Sequence, residues 1–165
     1  MQINGQWYVL SVRAGWEKRA EISLRAKEYE VLSPLSSDGA SRRTPSQREC
    51  IPIFPGYLFL RFNSLSDAKI LTTPGVLRIV SFGGRWAQVD EREIWSVRRV
   101  IERNLFRQSC SYPPIGTQVR VESGPFKGVE GKIIQGSKRL VICVSLIQRA
   151  MAVTFDEDTV VSQIS

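Results

Sequence analysis

The pattern of the sequence changes at Pro113-Pro114, and this change constrains the fold more than any other feature. Before it, segments typical of strands alternate with segments typical of amphipathic helices. After it, only short strand-like segments follow, separated by glycine or polar turns, a pattern that suits a small β-barrel. A diproline stiffens the backbone and interrupts regular structure. The sequence therefore predicts two domains, residues 1–107 and 115–165, joined by a linker at 108–114.

The first domain is expected to combine strands with helices. The β-branched and aromatic run WYVLSVR predicts a strand, and EYEVLSP predicts another. Between them, WEKRAEISLRAK predicts a helix with Trp16, Ala20 and Leu24 on one face. A further helix is expected after Asp90, because Asp90 and Glu93 form a capping-box pattern before an apolar stripe.

The segment FPGYLFLRF, residues 54–62, concentrates aromatic side chains beside a turn. Their spacing prevents a regular strand from directing all of them to one face. Pro55-Gly56 breaks the strand, so a bent aromatic edge can stay partly open. Tyr57 is expected to be exposed because its hydroxyl favours a wet edge, whereas Phe59 and Phe62 also fit ordinary core positions.

The composition excludes several classes of site. The absence of histidine excludes histidine-dependent catalytic triads, imidazole proton relays and metal sites built on that ring. Cys50, Cys110 and Cys143 lie far apart and form no CxxC pair, so a reduced cytosol is the simpler setting. No stretch approaches the roughly 20 apolar residues that span a bilayer. We expect a cytoplasmic monomer with no cofactor, no metal and no membrane contact.

Basic residues outnumber acidic residues by 23 to 16, which gives a formal net charge of +7. This field attracts polyanions such as nucleic acid. Most of the excess lies in residues 1–112, so the first domain is the expected site of electrostatic contact with nucleic acid. Arg42 and Arg43 lie in a polar loop near residues 36–48, where they fit phosphate contacts and also an ordinary solvated loop.

Three early segments, WYVLSVRAGWEKRA, IFPGYLFLRF and TTPGVLRIVSFGG, resemble an NGN domain. Two later segments, GTQVRVESGPFKGVEGKI and RLVICVSLIQRAMAVTF, resemble a KOW domain. This domain order is similar to that of bacterial NusG transcription elongation factors, over nearly the whole chain. The resemblance implies an α+β fold: an NGN domain whose antiparallel sheet is flanked by helices, then a small five-stranded KOW β-barrel. The short NGN domain and the arginine-rich loop favour a specialised paralogue of the RfaH or polysaccharide-operon type.

The resemblance implies RNA polymerase as the main partner. The surface around the FPGY turn would receive the clamp helices, and the threonine pair would face the gate loop. The residues implied in polymerase binding are Phe54, Pro55, Tyr57, Phe59, Thr72 and Thr73. Arg13 and Arg19 fall at positions near the non-template DNA strand, and Arg42 and Arg43 are further nucleic-acid candidates. The threonines also fit a helix end, and the arginines also fit a solvated surface.

The KOW segment implies a second binding surface, for ribosomal protein S10 or the termination factor Rho. Its candidate residues are Phe126, Leu146, Ile147 and Arg149. Phe126 is also explained by packing at the mouth of the barrel. Gln148 stands where the family usually has glycine, which weakens the partner expectation.

The predicted function is that of a non-enzymatic elongation or antitermination factor that suppresses pausing or termination. A ribosomal or structural RNA-binding KOW protein is the alternative, and it explains the second domain and the charge but not the FPGY segment. An enzyme is the third possibility, since Asp90, Glu91 and Glu93 form a dense carboxylate cluster. Acids at a helix start cap free amides and stabilise the macrodipole, which explains this cluster without catalysis.

Overall fold

The computed structural model describes most of the chain and divides it into two compact units. The first unit comprises Met1–Pro34 and Phe54–Asp90, and the second comprises Leu35–Ile53 and Glu91–Ser165. Both contain helices and antiparallel sheets, so the predicted mixed class of helix and antiparallel sheet is confirmed. The described residues are 5–36, 51–63, 67–103, 108–111, 116–124, 127–133, 139–144, 147, 149–154, 159 and 161–164.

The elements are numbered in chain order. They are β1 (Gln6–Val12), α1 (Glu17–Ala26), β2 (Glu30–Leu32), β3 (Leu35–Ser36), β4 (Ile51–Pro52), β5 (Tyr57–Phe62), α2 (Asp67–Leu71), β6 (Val76–Ile79), β7 (Ser81–Phe82), β8 (Arg85–Trp86), β9 (Gln88–Val89), α3 (Glu91–Glu102), β10 (Gln108–Ser111), β11 (Thr117–Val121), β12 (Glu130–Ile133), β13 (Arg139–Val144), β14 (Arg149–Thr154) and β15 (Val161–Gln163). Within the described part of the chain, none of the helices has both the length and the apolar character required to cross a membrane.

The sheet of the first unit has the strand order β2-β5-β1-β6, and β9 also pairs with β1. All of its ladders are antiparallel. Since β1 and β2 both pair with β5, they run parallel to each other with β5 between them, and α1 lies in the crossover. In the same way β5 and β6 flank β1, with α2 in the connection. This is the topology of a split β-α-β fold.

One face of this sheet forms the core of the first unit with α1. Leu10, Leu58 and Ile79 lie opposite one another on β1, β5 and β6, and they belong to the same buried cluster as Ala20 and Leu24 of α1. Full burial of a leucine side chain contributes about 1.5–3 kcal/mol. The helical stripe predicted from the sequence is therefore confirmed for Ala20 and Leu24. Through this stripe α1 packs against β1, β5 and β6.

The second unit contains α3 and a sheet with the order β10-β14-β13-β12-β11-β15. Helix α3 begins directly after Asp90, as the capping pattern predicts, and buries Ile94, Val97 and Val100. It contacts β12 and β13, and the Ser96 hydroxyl accepts a hydrogen bond from the Glu130 amide at 3.2 Å.

A close approach of α3 to the turn before β12 requires a glycine. Gly128 has a φ of +85°, and a Cβ atom at this position would lie 2.9 Å from the Trp95 ring. The indole therefore occupies the space that a side chain would take.

The boundaries of the second sheet differ from the sequence-based expectation. Residues 108–111 of the predicted linker form β10, which pairs with β14 from Gln108–Ala152 to Ser111–Arg149. In the region expected to form a five-stranded barrel, the described residues form β11 to β15, and β10 adds a further strand to the same sheet. Among the described residues no ladder joins β10 to β15, so the sheet is not closed there. The division into independent domains at residues 107 and 115 stays a prediction.

Candidate functional site

The FPGY segment forms a tight turn at one end of the first unit. The Tyr57 amide donates a hydrogen bond to the Phe54 carbonyl at 3.1 Å, and Gly56 has a φ of +80°. Proline at the second position and glycine with positive φ at the third are what a type II turn requires. The sequence Phe54-Pro55-Gly56-Tyr57 is therefore suited to the backbone geometry that the structure shows.

Two hydrogen bonds hold this turn against the end of β1 and the start of α1. The Gly56 carbonyl accepts a hydrogen bond from the Val12 amide at 2.8 Å. The Gly56 amide donates to Glu17 Oε1 at 2.9 Å, and Glu17 is only 4% exposed. A buried carboxylate is stable when hydrogen bonds replace its water, and this amide supplies one of them. Glu17 therefore fixes the position of the turn.

The aromatic side chains of the segment divide between interior and surface. The Phe54 and Phe59 rings are 1% and 0% exposed and meet edge to face, with 6.2 Å between their centroids. Pro55 is exposed and Tyr57 is half-buried. The accessible part of the predicted polymerase surface is thus Pro55 and Tyr57, whereas Phe54 and Phe59 lie beneath it. The role of Phe54 and Phe59 in polymerase binding stays a prediction. Because both rings are buried, they would support the surface from inside and would not touch the partner.

Tyr57 belongs to a cross-strand row at the end of the sheet. Tyr57 of β5 lies opposite Ser11 of β1, and Ser11 lies opposite Arg78 of β6. We call these three residues the terminal row. Their strand neighbours Leu58, Leu10 and Ile79 point towards α1, and side chains alternate along a strand, so the terminal row points to the opposite face. Ser11 is half-buried and Arg78 is exposed.

Arg13 and Arg19 share one aromatic neighbour. Their guanidinium carbons lie 5.9 and 5.3 Å from the centroid of the Trp16 ring, within the range of a cation–π contact. Trp16 itself is packed against Gly75, which has a φ of +87° and whose Cβ, if present, would lie 2.9 Å from the Trp16 side chain. Two of the four predicted nucleic-acid arginines, Arg13 and Arg19, are therefore brought together over one ring.

Arg13 and Arg19 differ in availability from Lys18 and Arg25 of α1. Lys18 and Arg25 are paired with Glu21 at 3.1 and 3.0 Å. In the part of the chain that the structure describes, neither Arg13 nor Arg19 makes a side-chain hydrogen bond or ion pair, and both are exposed. Their N–H groups are available to donate hydrogen bonds to a phosphate or a base.

Thr72 and Thr73 lie at the end of α2 but in different environments. Thr73 is 2% exposed, and its hydroxyl donates to the Lys69 carbonyl at 3.1 Å and accepts from Lys27 Nζ at 2.7 Å. Thr72 is exposed, and its hydroxyl donates to the Ala68 carbonyl at 3.0 Å. The helix-end explanation therefore accounts for Thr73, and Thr72 is the threonine that a partner can reach.

The remaining predicted site residues belong to less completely described regions. Arg42, Arg43, Phe126 and Leu146 lie outside the described residues. Ile147 is half-buried, and Arg149 is exposed at the start of β14, opposite Val144. Across the described ranges, no cluster of three or more His, Cys, Asp or Glu side chains is arranged to hold a metal ion.

Sequence reasoning missed three residues of this end of the unit. Glu17 was not expected to hold a turn 39 positions away, and Lys27 was not expected to donate to the Lys69 carbonyl and the Thr73 hydroxyl at the end of α2. Arg78 was not linked to Tyr57, because their relation depends on the register of three strands. An acidic residue in the first turn of a helix is a recognised sequence signal, but no neighbouring residue of Glu17 indicates its contact with Gly56.

The family is decided by comparison with known proteins. A family model described as transcription termination factor NusG matches residues 5–98, more than half of the chain. The chain belongs to the NusG family. The predicted family is therefore confirmed, and the narrower assignment to an RfaH-like paralogue stays an expectation.

Relatives in the NusG family match nearly the whole chain. A transcription termination/antitermination protein NusG from Haemophilus influenzae is 29% identical over 92% of this chain and 90% of its own length. The protein of the same name from Thermus thermophilus is 26% identical over 94% and 97%. A solved structure of Thermotoga maritima NusG covers 98% of both chains with a TM-score of 0.55 and 21% identity, which shows similarity of fold.

Proposed function

We propose that this NusG-family chain is a transcription elongation or antitermination factor that binds RNA polymerase through the end of its first unit. The observation that carries the proposal is the FPGY turn, which Glu17 and Val12 fasten so that Pro55 and Tyr57 stand at the surface. This turn lies within the residues that match the family model. The names of the Haemophilus influenzae and Thermus thermophilus relatives place those proteins in termination and antitermination.

The proposed contact is between a helix of the polymerase and the FPGY turn. A clamp helix of the polymerase would pack its apolar face on Pro55 and the Tyr57 ring, in the manner of a helix in a groove. The buried edge-to-face pair of Phe54 and Phe59 would keep this surface rigid, which lowers the entropic cost of binding. Thr72, exposed at the end of α2, is the proposed contact of the gate loop, with Thr73 holding the helix end beneath it.

Arg13 and Arg19 are the proposed contacts of the non-template DNA strand, with Arg42 and Arg43 as further candidates. Two guanidinium groups over one indole suit a single strand, because they bind phosphate while stacking surfaces stay near. Each phosphate contact releases counterions, so this part of the affinity should fall as salt rises.

The second unit is proposed to act as a KOW module that recruits ribosomal protein S10 or Rho. The described strands β11 to β15 would form the closed KOW barrel that we propose for this region. The proposed partner surface is formed by Phe126, Leu146, Ile147 and Arg149. We further propose that the protein acts in the cytoplasm as a monomer.

The proposed mechanism requires no bond to be made or broken. A factor that holds both sides of the polymerase cleft would stabilise the active, closed state against paused states. A ligand shifts such an equilibrium only through its difference in affinity for the two states, and about 1.4 kcal/mol of preference changes their ratio roughly tenfold. Suppressed pausing or termination follows from this preference alone.

The test is binding of the full chain to core RNA polymerase, measured beside binding to a structured RNA in 50 and 200 mM salt. Tight polymerase binding that survives the higher salt supports the proposal, because a mainly apolar contact is only weakly screened. Tight RNA binding with a steep salt slope and no polymerase binding would instead support the structural RNA-binding alternative.

A further inference from the structure

The terminal row contains Arg78, which has no role in the function proposed above. Arg78 lies on the same face of the sheet as Tyr57, separated from it by Ser11. Neighbouring strands are about 4.8 Å apart, so the backbones of Tyr57 and Arg78 are roughly 10 Å apart. That distance is close to the diameter of an α-helix with its side chains, about 10–12 Å. A helix that rests on Tyr57 therefore comes within reach of Arg78.

The state of the Arg78 side chain differs from that of the other arginine on this face. Arg61 lies opposite Trp7, its Nε donates to the Gly5 carbonyl at 2.9 Å and its guanidinium lies 3.6 Å from Glu30. Arg78 is exposed, and within the described ranges it makes no side-chain hydrogen bond, ion pair or ring contact. Its five N–H donors therefore have no acceptor among the described residues, and they lie on the face of the sheet that also carries Tyr57.

We infer that Arg78 is a specificity-determining residue of the polymerase-binding surface, and that it pairs with a carboxylate on the helix seated at Tyr57. The inference rests on the proposed function. The partner chemistry follows from the row itself: a tyrosine at one end selects an apolar side chain, and a guanidinium at the other selects an acidic one. An amphipathic helix satisfies both when its apolar stripe is bordered by Asp or Glu on the β6 side.

Charge complementarity at such a position acts mainly on specificity. A helix that lacks the acid leaves the guanidinium desolvated and unpaired, and a helix with a basic residue there meets a like charge. The aromatic turn supplies apolar contact to many helices, whereas Arg78 distinguishes among them. Ser11 between the two is small enough to leave the helix room to approach the sheet.

The test uses the full chain and core RNA polymerase, with Arg78→Glu, Arg78→Lys and the matched control Arg85→Glu. Arg85 is also an exposed arginine of the first unit, but it lies on β8 in the separate β7-β8 hairpin. All four proteins are compared for polymerase affinity at two salt concentrations, for crosslinking to a single-stranded non-template DNA, and for melting temperature.

The inference predicts that Arg78→Glu weakens polymerase binding about tenfold or more, because reversal replaces an attractive pair with a like-charge contact. Arg78→Lys should keep most of the affinity, and Arg85→Glu should match the unchanged chain. The three substituted proteins should melt within a few degrees of the unchanged chain. A smaller effect of Arg78→Glu at high salt is part of the expected result.

The contrary outcomes separate the inference from the function on which it rests. Unchanged polymerase binding by Arg78→Glu overturns the inference while the proposed function stands. Loss of DNA crosslinking with unchanged polymerase binding shows that Arg78 contacts phosphate, and also overturns it. Equal losses for Arg78→Glu and Arg85→Glu reveal a general effect of net charge and contradict a specific pair. Failure of the unchanged chain to bind polymerase overturns both the inference and the proposed function.

Discussion

Substitution of Glu17 tests how the FPGY turn is held. Its carboxylate is 4% exposed and accepts the Gly56 amide at 2.9 Å. A hydrogen bond to a charged group contributes about 1.5–3 kcal/mol, and an acid in the first turn of a helix adds about 0.5 kcal/mol. Glu17→Ala gains a few tenths of a kcal/mol of helix propensity in return. The free energy of unfolding of the first unit should therefore fall by about 2 kcal/mol.

The assay is hydrogen exchange of individual amides in the full chain, because it reports the turn as well as global unfolding. In Glu17→Ala the Gly56 amide loses its acceptor, so its protection should fall furthest. Glu17→Gln keeps an oxygen at the same position but removes the charge, and it should cost about half as much.

The matched control is Glu91→Ala, at the exposed first residue of α3. It removes an acid from an equivalent helix position, and because Glu91 is exposed, its helix-dipole and surface interactions together should cost about 1 kcal/mol or less. If Glu17→Ala changes stability by less than about 0.5 kcal/mol, or if Gly56 protection is unaffected, the conclusion that Glu17 positions the turn is refuted.

Two further predictions concern the same end of the first unit. Thr73→Val should destabilise the protein by about 1–2 kcal/mol in thermal or urea unfolding, because it removes two hydroxyl hydrogen bonds, whereas exposed Thr72→Val should cost less than about 0.5 kcal/mol; equal costs would contradict their different burial. The double substitution Arg13→Ala with Arg19→Ala should reduce crosslinking to the non-template strand while the melting temperature stays within a few degrees, and unchanged crosslinking would remove both from the site.

Local patterns predicted those elements that local physics determines. The start of α3 after Asp90 follows from capping, and the burial of Ile94 and Val97 follows from helical periodicity. The break at Pro55-Gly56 follows from the φ restrictions of these two residues. Each of these expectations depends on neighbours within a few positions of the chain.

One local signal was present but was not used. Gly83 and Gly84 both have positive φ, +57° and +76°, and connect β7 to β8 in a two-residue hairpin. A Gly-Gly pair between short strands is a recognised signal for such a turn. Strand β6 therefore ends at Ile79, and Ser81 and Phe82 belong to this hairpin.

Other features depend on contacts between distant positions and could not be predicted from local patterns. The burial of Phe54 depends on its contact with Phe59 across the turn, and an aromatic residue beside a proline gives no sign of it. The relation of Tyr57 to Arg78 depends on strand register, which a shift of one residue would reverse. Pairing of β10 with β14 joins residues about 40 positions apart.

The most direct test of the central proposal is the affinity of Tyr57→Ala for core RNA polymerase. Truncation of an aromatic anchor costs about 2 kcal/mol, so the dissociation constant should rise roughly 30-fold, with a melting temperature within a few degrees of the unchanged chain. Phe82→Ala, at an exposed ring of the β7-β8 hairpin, should bind as the unchanged chain does. Unchanged affinity of Tyr57→Ala, or loss of affinity together with loss of folding, would contradict the assignment of this ring to a binding surface.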